Sequence, residues 1–383
     1  MKHPIRLLLC LFSLYWLGQP ATAQVPSPPE INARSYILYD YASEQVLAEK
    51  NADERVAPAS ITKVLTSYIV FDEIRQKRLS PDDKVLISER AWRQGIDSSE
   101  SRMFLEVGSQ VRLEDLLRGI IVQSGNDASI AIAEHIAGSE SAFAGLMNDY
   151  AKRLGMHNSH FTDASGLPHP EHYTTARDLA ILARALIHDF PEWYPLFAER
   201  EFTWNKIRQI NRNLLLNRDP SIDGIKTGHT SEAGYCLLSS AQRDGRRLIA
   251  AVIGAPSWAY REQATLELLN YGFRVFETAS LLGPDKPAQT VEVYKGAARS
   301  VAVGTLKPVS ISLVRGSSER VQINTQVNQP LIAPITQGQV VGSATFTLDG
   351  KTLKTVPVVA LTDVPKGGFL RWLIDTIRLW FGW

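Results

Sequence analysis

The sequence predicts an α+β fold: an antiparallel sheet covered by helices, then a small all-β domain, then an amphipathic tail helix. Three observations carry this expectation. Alternating apolar stretches lie on both sides of a long helical middle, so the first sheet must draw strands from both ends of one domain. Beyond Gly283-Pro284-Asp285-Lys286-Pro287 the texture changes to short period-2 segments separated by turn residues. The chain then ends in an aromatic and aliphatic run, Phe369 to Trp383, interrupted by charges at helical spacing.

Lys2, His3 and Arg6 precede the apolar run Leu7 to Leu17, and Ala21-Thr22-Ala23 offers small residues for cleavage. This is the pattern of a secretory signal peptide over residues 1–23, cut before Gln24. The apolar run is too short to cross a hydrocarbon core roughly 30 Å thick. From Ser35 the chain alternates as a strand (Tyr36 to Tyr39), turns at Asp40-Tyr41-Ala42-Ser43 and returns from Val46 to Glu49. Helical periodicity dominates from Ser60 to about Ile187. Asp223 to Lys226, Gly234 to Ala241 and Arg247 to Gly254 read as antiparallel strands, the last two joined at Asp244-Gly245. A helix from about Tyr260 to Phe276 completes a domain set at residues 24–283.

Residues 284–365 read as the all-β domain, with strands at Val291–Tyr294, Val309–Leu313 and Ala344–Leu348 and a hairpin signal at Asp349-Gly350. It holds no catalytic motif and reads as a spacer, partner binding being the competing use of exposed strands. Residues 366–383 form the tail. Lys366-Gly367-Gly368 reads as a flexible joint, and Arg371, Asp375 and Arg378 share one helical face. Phe369, Trp372, Leu373, Ile377, Trp380 and Phe381 cover most of the rest. A helix of this length reaches about 22 Å, and a spanning orientation would set its charges mid-bilayer. It is therefore expected to lie along a membrane surface, with Trp rings at headgroup depth. A helix docked on the protein's own core is the alternative.

A net charge of +1 over 383 residues gives no field suited to nucleic acid, so no nucleic-acid partner is expected. Cys10 falls in the signal peptide, which leaves Cys236 as the sole cysteine of the mature chain and excludes an internal disulfide. Its setting, Tyr235-Cys236-Leu237-Leu238, is that of a core residue.

The chemistry lies in three short motifs in one order: Ser60-Ile61-Thr62-Lys63, Ser124-Gly125-Asn126 and Lys226-Thr227-Gly228. Ser60 opens a helix, where the dipole favours an alkoxide and free N–H groups can bind an oxyanion. Lys63, one turn on, can take the hydroxyl proton only if its pKa falls well below the usual value of about 10.4. Burial and a second cation, Lys226, are the expected causes. Ser124 can relay a proton and Asn126 can hold a substrate amide. Lys226, Thr227 and Thr230 can grip a carboxylate at a strand edge, while Gly228 allows close approach. Each motif alone is weak; together they describe acyl transfer by a serine enzyme, with no cofactor and no metal required.

At these residues the chain resembles the low-molecular-mass penicillin-binding proteins of the serine D-alanyl-D-alanine carboxypeptidase family. The resemblance runs through Pro58-Ala59-Ser60-Ile61-Thr62-Lys63, Leu117 to Ala128, Asp223 to Thr230 and Tyr271-Gly272-Phe273. It implies a penicillin-binding, β-lactamase-like transpeptidase fold with Ser60 acylated, Lys63 as base and Ser124 as shuttle. It implies substrate binding by Asn126, Lys226, Thr227, Gly228, His229, Thr230 and Arg261, with the N–H groups of Ser60 and His229 as oxyanion hole. The implied substrate is a peptidoglycan stem peptide ending in D-Ala-D-Ala. β-Lactams are the implied covalent inhibitors, and the periplasmic face of a bacterial inner membrane is the implied location.

Other readings compete. A DD-endopeptidase would use the same motifs. A class A β-lactamase would want a Glu-x-x-Leu-Asn element, and Glu267-Leu268-Leu269-Asn270 has the wrong spacing. A zinc peptidase would need the pairs His157/His160 and His169/His172, but these lie in a loop-like stretch without a His-Glu-x-x-His pattern and read as solvated. A catalytically dead sensor of β-lactams or peptidoglycan would have no need of an intact Ser60, Lys63 and Ser124.

Overall fold

The computed structural model describes residues 26–96 and 100–382, so the expected signal peptide lies outside the described residues. The central sheet contains β1 (Ser35–Asp40), β2 (Val46–Lys50), β3 (Ile222–Thr230), β4 (Gly234–Arg243) and β5 (Arg246–Ala255). Their order is β2-β1-β5-β4-β3 and every pairing is antiparallel, so strands from both ends of the domain do meet. β5 is central and buried from Leu248 to Ile253 because both sheet faces are covered. Ile249, Ala251 and Ile253 enter one core, and Leu248, Ala250 and Val252 the other. At the β4–β5 turn Asp244 and Gly245 have φ of 50° and 77°, as a two-residue type I′ hairpin requires.

A helical layer covers the first face. Its centre, α1 (Lys63–Arg75), is buried from Lys63 to Glu73, which explains a sequence without a polar stripe. The acids of α1 are paired: Tyr150 donates to Asp72 at 2.6 Å, and Arg78 bonds Glu73. α2 (Asn126–Ala137), α3 (Ala176–Asp189) and the helix Glu140–Leu154, which carries Tyr150, share the layer. The helical periodicity is interrupted where Lys84–Leu86 pairs with Gln110–Arg112, and residues 156–175 are largely irregular. α4 (Trp258–Val275) covers the second face through Leu268 and Leu269.

α4 runs directly into β6 (Phe276–Leu282), which pairs with β9 (Val309–Val314). Between them lie β7 (Gln289–Tyr294) and β8 (Ser300–Gly304). Beyond them come β10 (Gln322–Val327), β11 (Leu331–Ile332), β12 (Val340–Leu348) and β13 (Lys351–Ala360). These form a six-stranded sheet in the order β10-β12-β13-β8-β7-β11, with Val293, Val303, Phe346 and Val358 in its core. Each predicted strand of this module is present, and Asp349-Gly350 turns β12 into β13. Phe276 packs with the α4 core whereas Leu281 and Leu282 pack with the module, so β6 joins the two. The tail helix α5 (Phe369–Phe381) follows. Among the described residues no helix is long and apolar enough to cross a membrane.

Arg246 clamps the junction. Its Nε donates to Asp40 Oδ2 (3.1 Å) and Thr278 Oγ1 (2.7 Å), and its Nη1 to the carbonyls of Gly272 (3.0 Å) and Phe276 (2.6 Å). Asp40 is 0% exposed, so Arg246→Ala would leave a buried carboxylate without its charge partner. The expected cost is about 3–5 kcal/mol, read as a lower unfolding midpoint in denaturant. An unchanged midpoint would show that the clamp contributes nothing to stability.

Candidate active site

Ser60 lies on a 3₁₀ turn, Ala59–Thr62, immediately before α1, so the helix N-terminus faces it. Ala59 has φ 48°, a left-handed conformation that costs a residue with a Cβ about 1 kcal/mol or more. Two glycines hold the turn in this shape. A Cβ on Gly166 (φ 90°) would fall 1.8 Å from Ala59 O, and one on Gly228 would fall 3.0 Å from Pro58 O. The nucleophile turn is thus gripped between a loop at 163–167 and β3.

Lys63 Nζ reaches Ser60 Oγ (3.0 Å), Asn126 Oδ1 (2.7 Å) and Ser165 O (2.7 Å). As an ammonium it donates to all of these. Once it loses a proton, Asn126 Oδ1 and Ser165 O keep its two N–H groups and its lone pair faces the Ser60 hydroxyl, the geometry of a general base. Burial drives the Lys63 pKa down to about 7, against the carboxylates of Asp163, Glu100 and Asp127, with a further push from Arg212. Lys226, expected to be the pushing cation, is itself lowered well below the ordinary lysine range. The causes are burial, then the charges of Lys63, Arg212 and Arg261. Among the described residues its Nζ donates to Thr227 O, at 3.2 Å. Two buried ammonium groups in one site disfavour each other.

Ser124 ends a π-helical turn (Gly119–Gln123) and itself takes the left-handed conformation, φ 67°. Its neighbour Gly125 has φ −60° and is small for a different reason: a Cβ would meet Asp127 Oδ1 at 2.8 Å. Ser124 Oγ is buried and has no hydrogen-bond partner among the described residues. Ser60, Ser124, Thr227, Gly228, His229, Thr230 and Arg261 line one cleft of about 1000 Å³. Lys63, Asn126 and Lys226 are buried beside it. All ten predicted site residues therefore converge. Cys236 is buried in the first core, where burial raises its thiol to about 11.

The motifs did not announce the supporting residues. Arg212 lines the cleft beside Arg261, with its Nε on Gln123 O at 3.1 Å. Asp163 accepts from the N–H groups of Ser165 (2.7 Å) and Gly166 (2.6 Å), which shapes the loop under Lys63. Burial works against the Asp163 carboxylate, but His172 and these N–H groups outweigh it and hold it well below the usual range. His172 is buried, not solvated as read from the sequence. Its Nδ1 meets Asp163 Oδ2 at 3.1 Å and its Nε2 meets Thr62 Oγ1 at 2.9 Å, so both ring nitrogens are taken by the scaffold. The signal available was Asp163-Ala164-Ser165-Gly166, a turn sequence with no chemical motif.

Comparisons with known proteins agree in extent. A family model described as D-alanyl-D-alanine carboxypeptidase matches residues 22–257, and one for the C-terminal domain of penicillin-binding protein 5 matches 276–366. The chain is 43% identical to the D-alanyl-D-alanine carboxypeptidase DacC of Escherichia coli over 370 residues, 94% of this chain and 92% of that one. Penicillin binding protein 5 from Haemophilus influenzae superposes with a TM-score of 0.84 at 40% identity, covering 89% of this chain and all (100%) of that one. Penicillin-binding protein D2 from Listeria monocytogenes, in a cefotaxime-bound form, gives a TM-score of 0.60 at 29% identity and covers 65% of this chain and 100% of that one.

Two outcomes follow from the geometry. The second-order rate of β-lactam acylation should rise with pH through a midpoint near 7, because only neutral Lys63 accepts the Ser60 proton. A rate flat from about pH 5 to 9 would remove Lys63 as the base. Gly166→Ala should push the Ala59 carbonyl aside and slow adduct formation, followed by intact mass, by about 100-fold or more.

Proposed function

We propose a residue-level account that proceeds from one premise: the chain belongs to the D-alanyl-D-alanine carboxypeptidase family. It is a serine-type D-Ala-D-Ala carboxypeptidase, and β-lactams are its covalent inhibitors. The contact set of Lys63 Nζ is the observation that carries the account.

The stem peptide adds itself as a strand along the free edge of β3, the outermost strand of the sheet. Arg261, Arg212, Thr227 and Thr230 receive its terminal carboxylate, and that negative charge favours the ammonium form of Lys226. Asn126 offers its amide to the substrate carbonyl. Ser60 Oγ attacks the carbonyl carbon of the terminal amide as its proton passes to Lys63 Nζ. The N–H groups of Ser60 and His229 hold the oxyanion. The proton then moves from Lys63 by way of Ser124 to the amide nitrogen, the C–N bond breaks and D-alanine leaves. Water attacks the Ser60 ester, Lys63 takes its proton, and the shortened peptide leaves as Ser60 recovers its hydrogen. With a β-lactam the ring amide is opened instead, and its nitrogen stays tethered to the acyl group.

The setting is part of the same proposal. Residues 1–23 direct export, residues 24–283 catalyse and residues 284–365 space the cleft from the membrane, with β6 shared between the two. The tail at 366–383 rests on the periplasmic surface of the inner membrane. Its apolar face, including Phe369, Leu370 and Trp380 at 76%, 70% and 85% exposure, supports that reading.

The mature protein, given a peptide ending in D-Ala-D-Ala, should release D-alanine, and prior penicillin should block release with an adduct on Ser60. An adduct without D-alanine release would turn the account toward an endopeptidase or a sensor. Lys63→Ala should slow acylation about 10²- to 10⁴-fold while the protein stays folded. Normal turnover by that variant would refute its role. Deleting residues 369–383 should free the protein from vesicles and spare hydrolysis of soluble peptide.

A further inference from the structure

We propose that α5 is a rigid foot of the β module, latched through Asp375, which presents its apolar face at a fixed angle to one leaflet of an anionic bilayer. This rests on the membrane reading of the tail given above and adds to it how the tail is held. The sequence suggests a tether with a flexible Gly-Gly joint and three charges on one helical face. The contacts are different. Gly367 N donates to Lys295 O at 2.8 Å, and Ala297 N to Pro365 O at 2.8 Å, so the joint is bonded to the module. Gly367 also packs so closely that a Cβ would lie 2.7 Å from Gly296 O.

The charged stripe is spent on the protein. Asp375 is 0% exposed, the one fully buried side chain of a helix otherwise exposed or half-exposed. Its Oδ2 accepts from the Lys295 N–H at 2.5 Å and lies 2.9 Å from Arg371 Nε; Oδ1 lies 3.6 Å from Arg378 Nη1. Arg378 also pairs with Glu292 (2.8 Å) and covers the Tyr294 ring, and Lys295 Nζ sits over Trp372. A buried carboxylate held this way has one seat, since leaving it means breaking charge contacts and a backbone hydrogen bond together. The polar face is therefore not available to cover the apolar face, which turns away from the module. A lipid leaflet suits that face: Trp372 and Trp380 are interfacial side chains, and the cations Lys366, Arg371, Arg378 and Lys295 outnumber the acids beside them, Asp375 and Glu292. Because β6 and Arg246 join the module to the catalytic domain, the seat of α5 fixes the attitude of the cleft above the membrane.

The test uses the full mature chain on vesicles of phosphatidylethanolamine and phosphatidylglycerol. Spin labels at Thr352→Cys and Gly382→Cys report the distance between module and tail, Cys236 being buried. The parent should give one narrow distance distribution on vesicles. Asp375→Ala should still bind vesicles, but widen the distribution at least about twofold and speed exchange of the Lys295 amide about tenfold. Should Asp375→Ala unfold the module, Asp375→Asn, which keeps the shape, decides by the same readings. Unchanged width and exchange in the variant would overturn the proposal, as would a distribution already broad in the parent. Loss of vesicle binding by Asp375→Asn would also overturn it, because the carboxylate would then be a binding group. Tail-to-tail dimers without vesicles would assign the apolar face to a second copy and overturn it too. Vesicle binding by a chain ending at Gly368 would instead refute the membrane reading beneath it.

Discussion

An ammonium group enclosed by protein, with two carbonyl acceptors and a hydroxyl in place of water, loses its proton far more readily than one in solution, and the catalytic domain is packed around that constraint at Lys63. Lys63 can be held so because α1 is buried on every side, with the sheet below it and helices beside it. Its acceptors come from distant parts of the chain. Asn126 begins α2 and Ser165 belongs to a loop ordered by Asp163, so the base exists only in the folded protein.

The same packing shapes the nucleophile. Ala59 is kept in a left-handed conformation because Gly166 and Gly228 let two segments close on it from either side. β3 then has two roles. It buttresses the turn through Gly228, and its outer edge offers the surface on which an extended peptide can lie. Burial that makes Lys63 a base also lowers Lys226, and a substrate carboxylate beside it would favour its ammonium form.

Much of this was legible in the sequence. The central sheet, its β4–β5 hairpin, the all-β module and the tail helix follow from local signals: period-2 runs, Asp-Gly turns and apolar faces at helical spacing. The motif residues were legible because their chemistry is recurrent and their order is informative. The rest depends on tertiary neighbours. Nothing local marks Arg212 as facing Lys63, or His172 as a buried strut between Asp163 and Thr62. The left-handed residue is Ser124 and not its glycine neighbour, since the space beside Gly125 is taken by Asp127. Lys366-Gly367-Gly368 reads as slack until the backbone of Gly296 is seen packed against Gly367.

The central claim is that Lys63 changes charge near neutrality in the resting enzyme. The most direct test is a ¹⁵N NMR titration of lysine Nζ groups in the unliganded mature protein, with the Lys63 signal assigned by its loss in Lys63→Ala. The account predicts one such signal titrating near pH 7. A Lys63 signal that stays in the ammonium form to about pH 10, as an ordinary lysine does, would contradict it.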